Sequence, residues 1–178
     1  MSQVSSYKHL WQFSADQLQQ LNQQLSNYVS ETRSELAILT DESGQLISHI
    51  GEGSIQTVEI LSNLAAAGFA ASAEIDDYIG FSQNNHLKHL LLEGEQTNIY
   101  ISNVAENLLL ITAFSSPTTI ATVQIYSGRA GQKIKALAQM AISDSNRAEK
   151  RIDLQIDKGF GAEIDRQLNI LFGNDEKL

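Results

Sequence analysis

Hydrophobic positions recur with a helical period near the start of the chain. Leu18, Leu21 and Leu25 follow one another at three or four residues, the spacing of one face of an amphipathic helix. Just before them, Ser14-Ala15-Asp16-Gln17 has the pattern of a capping box, in which a serine and a glutamine side chain close the first helical turn. These positions predict a helix over residues 14–29.

The pattern then changes to short apolar runs separated by turn residues. A run over 35–40, the turn Asp41-Glu42-Ser43-Gly44 and a run over 45–50 together predict a β-hairpin. Further along, runs over 86–92, 97–102 and 107–114 predict a three-stranded meander. The last run is apolar at nearly every position, so we expect it to be a central strand that is covered on both faces.

Between the hairpin and the meander lies a long segment, 54–78, whose middle is rich in Ala and Gly. Ser54 is suited to cap a helix, and Ala is the strongest helix former. At 3.6 residues per turn the apolar residues form two flanks. The first flank holds Val58, Leu61, Ala65 and Phe69. The second flank holds Ile60, Leu64, Ala67, Ala71, Ile75 and Tyr78.

Two apolar flanks are more than one sheet can cover, since a stripe of about 100° suffices for a helix packed on one surface. We therefore expect the first flank to pack on the sheet and the second to meet another body. Another copy of the same helix about a two-fold axis is the economical candidate, because Ala and Gly permit close approach. The predicted dimer interface comprises Leu64, Ala67, Gly68, Ala71, Ile75 and Tyr78. The alternative is a helix enclosed by a larger core of the same chain.

A last helix is expected after residue 116, with Pro117 in its first turn, where the missing N–H is harmless. Gly128 and Gly131 weaken its middle, which makes a kink or break there plausible. Beyond it, residues 143–146 resemble a linker, 152–156 alternate as in a strand, and 164–172 repeat as in a short amphipathic helix. The expected domains are 1–142 and a C-terminal extension, 143–178, that docks on its own dimer rather than waiting disordered for a partner.

Composition narrows the class of partner. The net charge is -9 with no cluster of Lys or Arg, which argues against nucleic acid or anionic lipid as the main ligand. The chain has no cysteine, consistent with a reducing compartment and incompatible with a thiolate metal site or a thiol nucleophile. No apolar run approaches the about 20 residues of a membrane span. We therefore expect a globular cytoplasmic protein.

Candidate catalytic chemistry is sparse. His86 and His89, with Asp76 and Asp77 upstream, could suggest a metal site, but a spacing of three in a strand places the two histidines on opposite faces. The segment Gly128-Arg129-Ala130-Gly131-Gln132-Lys133 lacks the spacing and the Ser or Thr of a phosphate-binding loop. The expectation is therefore no catalytic residue, no metal and no cofactor.

The order helix, hairpin, small-residue helix, three-strand meander, helix is shared with a known family. Together with Leu36-Ala37-Ile38-Leu39-Thr40-Asp41-Glu42-Ser43-Gly44-Gln45-Leu46-Ile47, Leu91-Leu92-Glu93-Gly94-Glu95 and the run 108–114, it resembles the Roadblock (dynein light chain) family, bacterial members in particular. The resemblance covers residues 35–124. It departs from the bacterial pattern at Ala121 and Gln124, where a Gly and an Arg are common.

The resemblance implies an α+β fold, an α-β-β-α-β-β-β-α sandwich with one five-stranded antiparallel sheet. The long helix would lie on one face and the terminal helices on the other, and two subunits would pair through the long helix and the adjacent edge strand. It also implies a function: a homodimer that binds and regulates a Ras-like small GTPase, as an activator or co-regulator, without being an enzyme itself.

A narrow polar band on the long helix is the expected contact with such a partner, and a solvated face is the alternative. The band holds Gln56, Glu59, Asn63, Glu74 and Asp77. A second hypothesis is a scaffold that binds another Roadblock or motility-type protein independently of nucleotide.

Overall fold

A computed structural model describes residues 11–79, 88–105 and 107–172 of the 178, with side chains as far as residue 147 except 76, 77 and 79. His86, at the start of the predicted run 86–92, lies outside these residues. The elements in chain order are α1 (Ala15–Thr32), β1 (Leu36–Asp41), β2 (Leu46–Gly51), α2 (Ile55–Ile79), β3 (His89–Leu92), β4 (Asn98–Ala105), β5 (Leu108–Phe114) and α3 (Ile120–Phe172).

The five strands form one antiparallel sheet in the order β2-β1-β5-β4-β3. Strand β5 is central, as its uniformly apolar sequence predicts: Ile111 pairs with Ile38 of β1 on one side and Ile101 of β4 on the other. The α+β class and the five-stranded antiparallel sheet are therefore confirmed. The edges of the sheet are β2 and the four-residue strand β3.

Local chemistry fixes the ends of the first elements. The predicted capping box is present, with the Gln17 backbone N donating to Ser14 Oγ at 3.2 Å and the Ser14 backbone N donating to Gln17 Oε1 at 2.9 Å. In the hairpin turn, Asp41 Oδ1 accepts from the backbone N of Ser43 and of Gln45, both at 2.9 Å. Gly51, the last residue of β2 and the partner of Leu36, has φ of +121° and leaves 2.1 Å between an added Cβ and the Glu35 carbonyl oxygen, so only glycine fits at this end of the hairpin.

Alternate residues of the strands point to opposite faces and join two different apolar cores. Leu39 and Leu110 belong to a core with α1 and α3, where Leu21, Leu25 and Ile134 are fully buried. We call this the closed face. Ile38 and Ile111 belong to the core beneath α2. We call this the open face.

Four predictions for the C-terminal part are wrong, two for the start and middle of the last helix and two for the tail. Pro117 precedes helix α3 rather than lying in its first turn, because Thr119 is the residue whose hydroxyl accepts from the backbone N of Thr122, at 3.3 Å. The helix is also unbroken through Gly128 and Gly131. An added Cβ at Gly131 would lie 3.2 Å from the Val104 side chain, so this glycine lets α3 lie close to β4.

The predicted linker at 143–146 and the strand at 152–156 are both helical. Ser143-Asp144-Ser145-Asn146 is polar but contains neither Gly nor Pro, so nothing in it ends a helix. Ile152 and Ile156 fit a period of two, but they are also four residues apart and fit a helix equally well. The chain divides into two compact units, 1–141 and 142–178, and the described residues of the second unit are helical to Phe172.

Candidate interaction surface on helix α2

Helix α2 is held on the sheet by its first apolar flank. Ser54 caps it, with its Oγ accepting from the Thr57 backbone N at 3.2 Å. Val58 is fully buried, and Ala65 and Phe69 are less than a tenth exposed in the core beneath the helix. The predicted sheet-facing flank is confirmed.

The second flank is not covered by any described residue of the chain. Leu64 is 65% exposed, Ile75 56% and Tyr78 89%, and both Ala67 and Ala71 are exposed between them. We call the set Ile60, Leu64, Ala67, Ala71, Ile75 and Tyr78 the apolar flank. Within the described part of the chain, its exposure argues against a helix enclosed by its own chain, and its role as a dimer interface stays a prediction.

An apolar groove runs beside this flank, between α2 and the sheet. It has a volume of about 220 Å³, and every residue that lines it is apolar. Gly68, half-buried, stands at its wall, where an added Cβ would lie 3.8 Å from Leu90. The groove thus continues the apolar flank onto edge strand β3, whose Leu92 is 49% exposed.

Leu90 and Leu92 were missed as site residues by the sequence reasoning. The signal was present, since β3 is a short strand with three successive leucines. A hydrophobic strand at the edge of a sheet offers apolar side chains and unpaired backbone groups to another chain. That inference needs the strand order, which places β3 at the edge.

The predicted polar band lies along the other side of the apolar flank. Gln56, Glu59 and Glu74 are exposed. Asn63 is exposed as well, and its Nδ2 donates to the Glu59 carbonyl oxygen at 2.8 Å. Its Cα would lie 2.8 Å from a Cβ on Gly44, so this glycine lets the hairpin turn lie close to α2. The side chain of Asp77 is outside the described set.

Helix α2 also has the length and composition of a membrane-spanning helix. Residues Ile55–Ile75 are long and apolar enough to cross a membrane by length and composition alone, contrary to the expectation from the sequence. A soluble helix with two apolar flanks is equally apolar, because each flank packs on a different partner. In α2 one of these flanks packs on the sheet. The core helix of a soluble protein passes the same test, so this is weak evidence for a membrane span.

The two tyrosines whose pKa is shifted lie away from helix α2, and the described residues form no cluster of metal ligands. Burial raises the pKa of Tyr28 above its ordinary value, against the opposing effect of its hydrogen bond to Thr112, and burial likewise raises the pKa of Tyr100. Both tyrosines are on the closed face. In the part of the chain that the structure describes, no three His, Asp or Glu side chains are placed to hold a metal ion.

No family model and no curated protein sequence matches this chain. Solved structures do match in fold, and they define its class. A Roadblock/LC7 domain from Streptomyces avermitilis aligns with a TM-score of 0.58 at 14% identity over 64% of this chain and 92% of its own. The chain therefore has the Roadblock/LC7 fold, and the predicted resemblance is confirmed at the level of fold.

Among such structures, the chain is similar to those of the gliding protein MglB. MglB from Thermus thermophilus aligns with a TM-score of 0.65 at 20% identity, covering 72% of this chain and 95% of MglB. An MglB structure described as having a tetrameric arrangement aligns with a TM-score of 0.66, also at 20% identity, covering 73% and 95%.

Proposed function

We propose that this protein is a cytoplasmic homodimeric Roadblock module that binds and regulates a Ras-like small GTPase and is not itself an enzyme. The observation that carries the dimer is the exposed apolar flank of α2. Isolated exposed apolar residues are ordinary, but a contiguous apolar patch marks an interaction site. Here the flank, the groove and Leu92 of β3 form one continuous apolar surface.

Two features of this surface support a second copy of the chain as the occupant, namely its small side chains and its unpaired strand edge. Ala67, Ala71 and Gly68 put no large side chain between two crossing helices, so two α2 backbones can approach closely. Strand β3 has a neighbour on one side only, and its other edge offers unpaired N–H and C=O groups to a second β3. A two-fold axis satisfies both contacts with the same surface on each subunit.

The GTPase assignment rests on the family resemblance and on the similarity to the gliding protein MglB. In this chain the polar band supports it. Pairing of two apolar flanks leaves Gln56, Glu59 and Glu74 exposed along the rim of the dimer, where charged residues guide the approach of a partner.

Two arginines precede residue 147, and neither is placed as an arginine finger. Arg33 takes the left-handed conformation that ends α1, and the Arg129 guanidinium lies over the Tyr126 ring, 5.1 Å from its centre. Any acceleration of GTP hydrolysis would therefore arise from repositioning of the partner's own loops rather than from a side chain inserted in trans.

The test is nucleotide-dependent capture. The immobilised protein is incubated with native cytosol and then with the recovered GTPase loaded with GDP or with a non-hydrolysable GTP analogue. A regulator prefers the GTP-like state. Glu59→Lys with Glu74→Lys should abolish the capture, whereas Glu31→Lys, exposed on α1 at the closed face, should leave it unchanged. Equal capture in both nucleotide states would contradict regulation and favour the scaffold.

A further inference from the structure

A second pocket lies on the closed face, between the start of β3, strand β4 and helix α3. Its volume is about 250 Å³, and it is polar where the α2 groove is apolar. Its rim carries Lys88 and Lys135, both exposed, and among the described residues no acidic side chain lines it. Residues 1–142 contain only six Lys and Arg side chains, and two of these six lie at this pocket. The pocket is therefore locally positive in a chain whose net charge is -9.

The floor of the pocket has a hydroxyl without a partner. Ser102 lies on β4 between Tyr100 and Val104, is 7% exposed, and its Oγ makes no hydrogen bond to any described group. Leaving a buried hydroxyl unpaired costs about 1 to 3 kcal/mol. The neighbouring Ser127 hydroxyl differs, since it donates to the Gln124 carbonyl oxygen at 3.1 Å.

The wall of the pocket contains a glycine that packing does not explain. Gly128 is in the middle of α3, where alanine would stabilise a helix by about 1 kcal/mol. An added Cβ would meet no atom within 4 Å, unlike Gly131, which is held against Val104. Packing within the described chain therefore does not require glycine at position 128, and this residue lines the pocket without adding a side chain to it.

We propose that this pocket binds a small oxyanion, a phosphate or carboxylate group of a small molecule, between the ammonium groups of Lys88 and Lys135 with the Ser102 hydroxyl donating from below. The pocket volume is just under the usual range for small-molecule sites. It therefore suits a ligand with a few heavy atoms in addition to the anionic group. The walls are already ordered: the Asn103 backbone N donates to the Lys88 carbonyl at 3.0 Å, and the His89 ring stacks on Tyr100 with centres 5.5 Å apart.

The test is a titration of the whole protein with anions, monitored through the backbone amide signals in NMR spectra. Inorganic phosphate is the ligand in one arm and malonate in the other, at constant ionic strength. Shifts should centre on Ser102, Gly128 and Gly131. The arm with the tighter binding identifies the group recognised. Shifts scattered over the surface, or none in either arm at millimolar anion, would overturn the proposal.

Variants separate a built site from general attraction of anions. Lys88→Gln and Lys135→Gln should each raise Kd about tenfold, the effect of one lost hydrogen bond to a charged group. Lys133→Gln is the matched control, an exposed lysine of the same helix outside the pocket. Equal weakening by all three would contradict the site.

Two further variants guard against a loss caused by misfolding. Ser102→Ala and Gly128→Ala should both raise the thermal stability of the free protein, since one removes an unpaired hydroxyl and the other adds a helix former. Both should nevertheless weaken anion binding. Stabilisation with unchanged binding would refute the roles given to these two residues.

Discussion

The two faces of the sheet are covered differently. On the closed face, two helices cover the strands, and Leu21, Leu25 and Leu110 are fully buried. On the open face a single helix covers them, and it carries apolar residues on the flank away from the sheet as well. Of the nine large apolar residues exposed in the described chain, five are on α2. The closed face serves folding, and the open face is the one that we propose for association.

This difference follows from helix composition rather than from the sheet, because alternate strand residues are apolar on both faces. Helix α1 has one apolar stripe and a Gln-rich solvent side, which ends its packing at the sheet. Helix α2 keeps Ile, Leu, Ala and Tyr on its outer side, where polar residues would be expected in a monomer.

The largest expected effect comes from a matched pair of leucine truncations. Leu110→Ala leaves a cavity in the closed face and should lower the free energy of unfolding by about 2 to 5 kcal/mol at every protein concentration. Leu64→Ala removes an exposed side chain from the apolar flank, so its loss of stability should appear only where the dimer is populated. Chemical denaturation at two protein concentrations measures both. Equal, concentration-independent losses would erase the distinction between the faces.

Overpacking the apolar flank should break association without unfolding the chain. Ala67→Leu with Ala71→Leu adds bulk where two helices are proposed to meet, at about 1 to 3 kcal/mol per site. Sedimentation should show dissociation while circular dichroism shows retained helix. Ala70→Leu is the control, since Ala70 is exposed on the polar side of α2, and the proposal fails if this variant dissociates equally.

Alkaline pH should act through the closed face. Burial raises the pKa of Tyr28 above its ordinary 10.0, so the folded state keeps the neutral phenol that hydrogen-bonds to Thr112 Oγ1 at 2.8 Å. The associated stability is fully present below pH 10 and is lost as the pH rises further, since only the unfolded chain ionises readily. Tyr28→Phe should flatten this decline in a series of urea denaturation curves recorded at increasing pH.

The smallest effects concern two glycines of α3. Gly128→Ala should raise the free energy of unfolding by up to about 1 kcal/mol, because the new methyl group meets open space. Gly131→Ala should gain less or lose, because its Cβ would press on Val104 at 3.2 Å. Thermal melts that rank them in the reverse order would contradict the packing described for α3 and β4.

The sequence predicted the strands and both flanks of α2 because each signal is local. The run from Leu108 to Phe114 identifies a central strand, and a helical period places Val58 and Phe69 on the sheet side. The polar pocket was not predictable, because Lys88, Ser102 and Lys135 come together only through the strand order. The tail was misread because five residues with a period of two also contain a spacing of four.

The central claim is that the apolar flank of α2 is covered by a second copy of the chain. Sedimentation equilibrium of the unmodified protein from low to high micromolar concentration tests this without any mutation or partner. A mass of twice 19.6 kDa that dissociates on dilution, or higher multiples built from that dimer, is the predicted result. A single species of 19.6 kDa throughout the micromolar range would contradict the account.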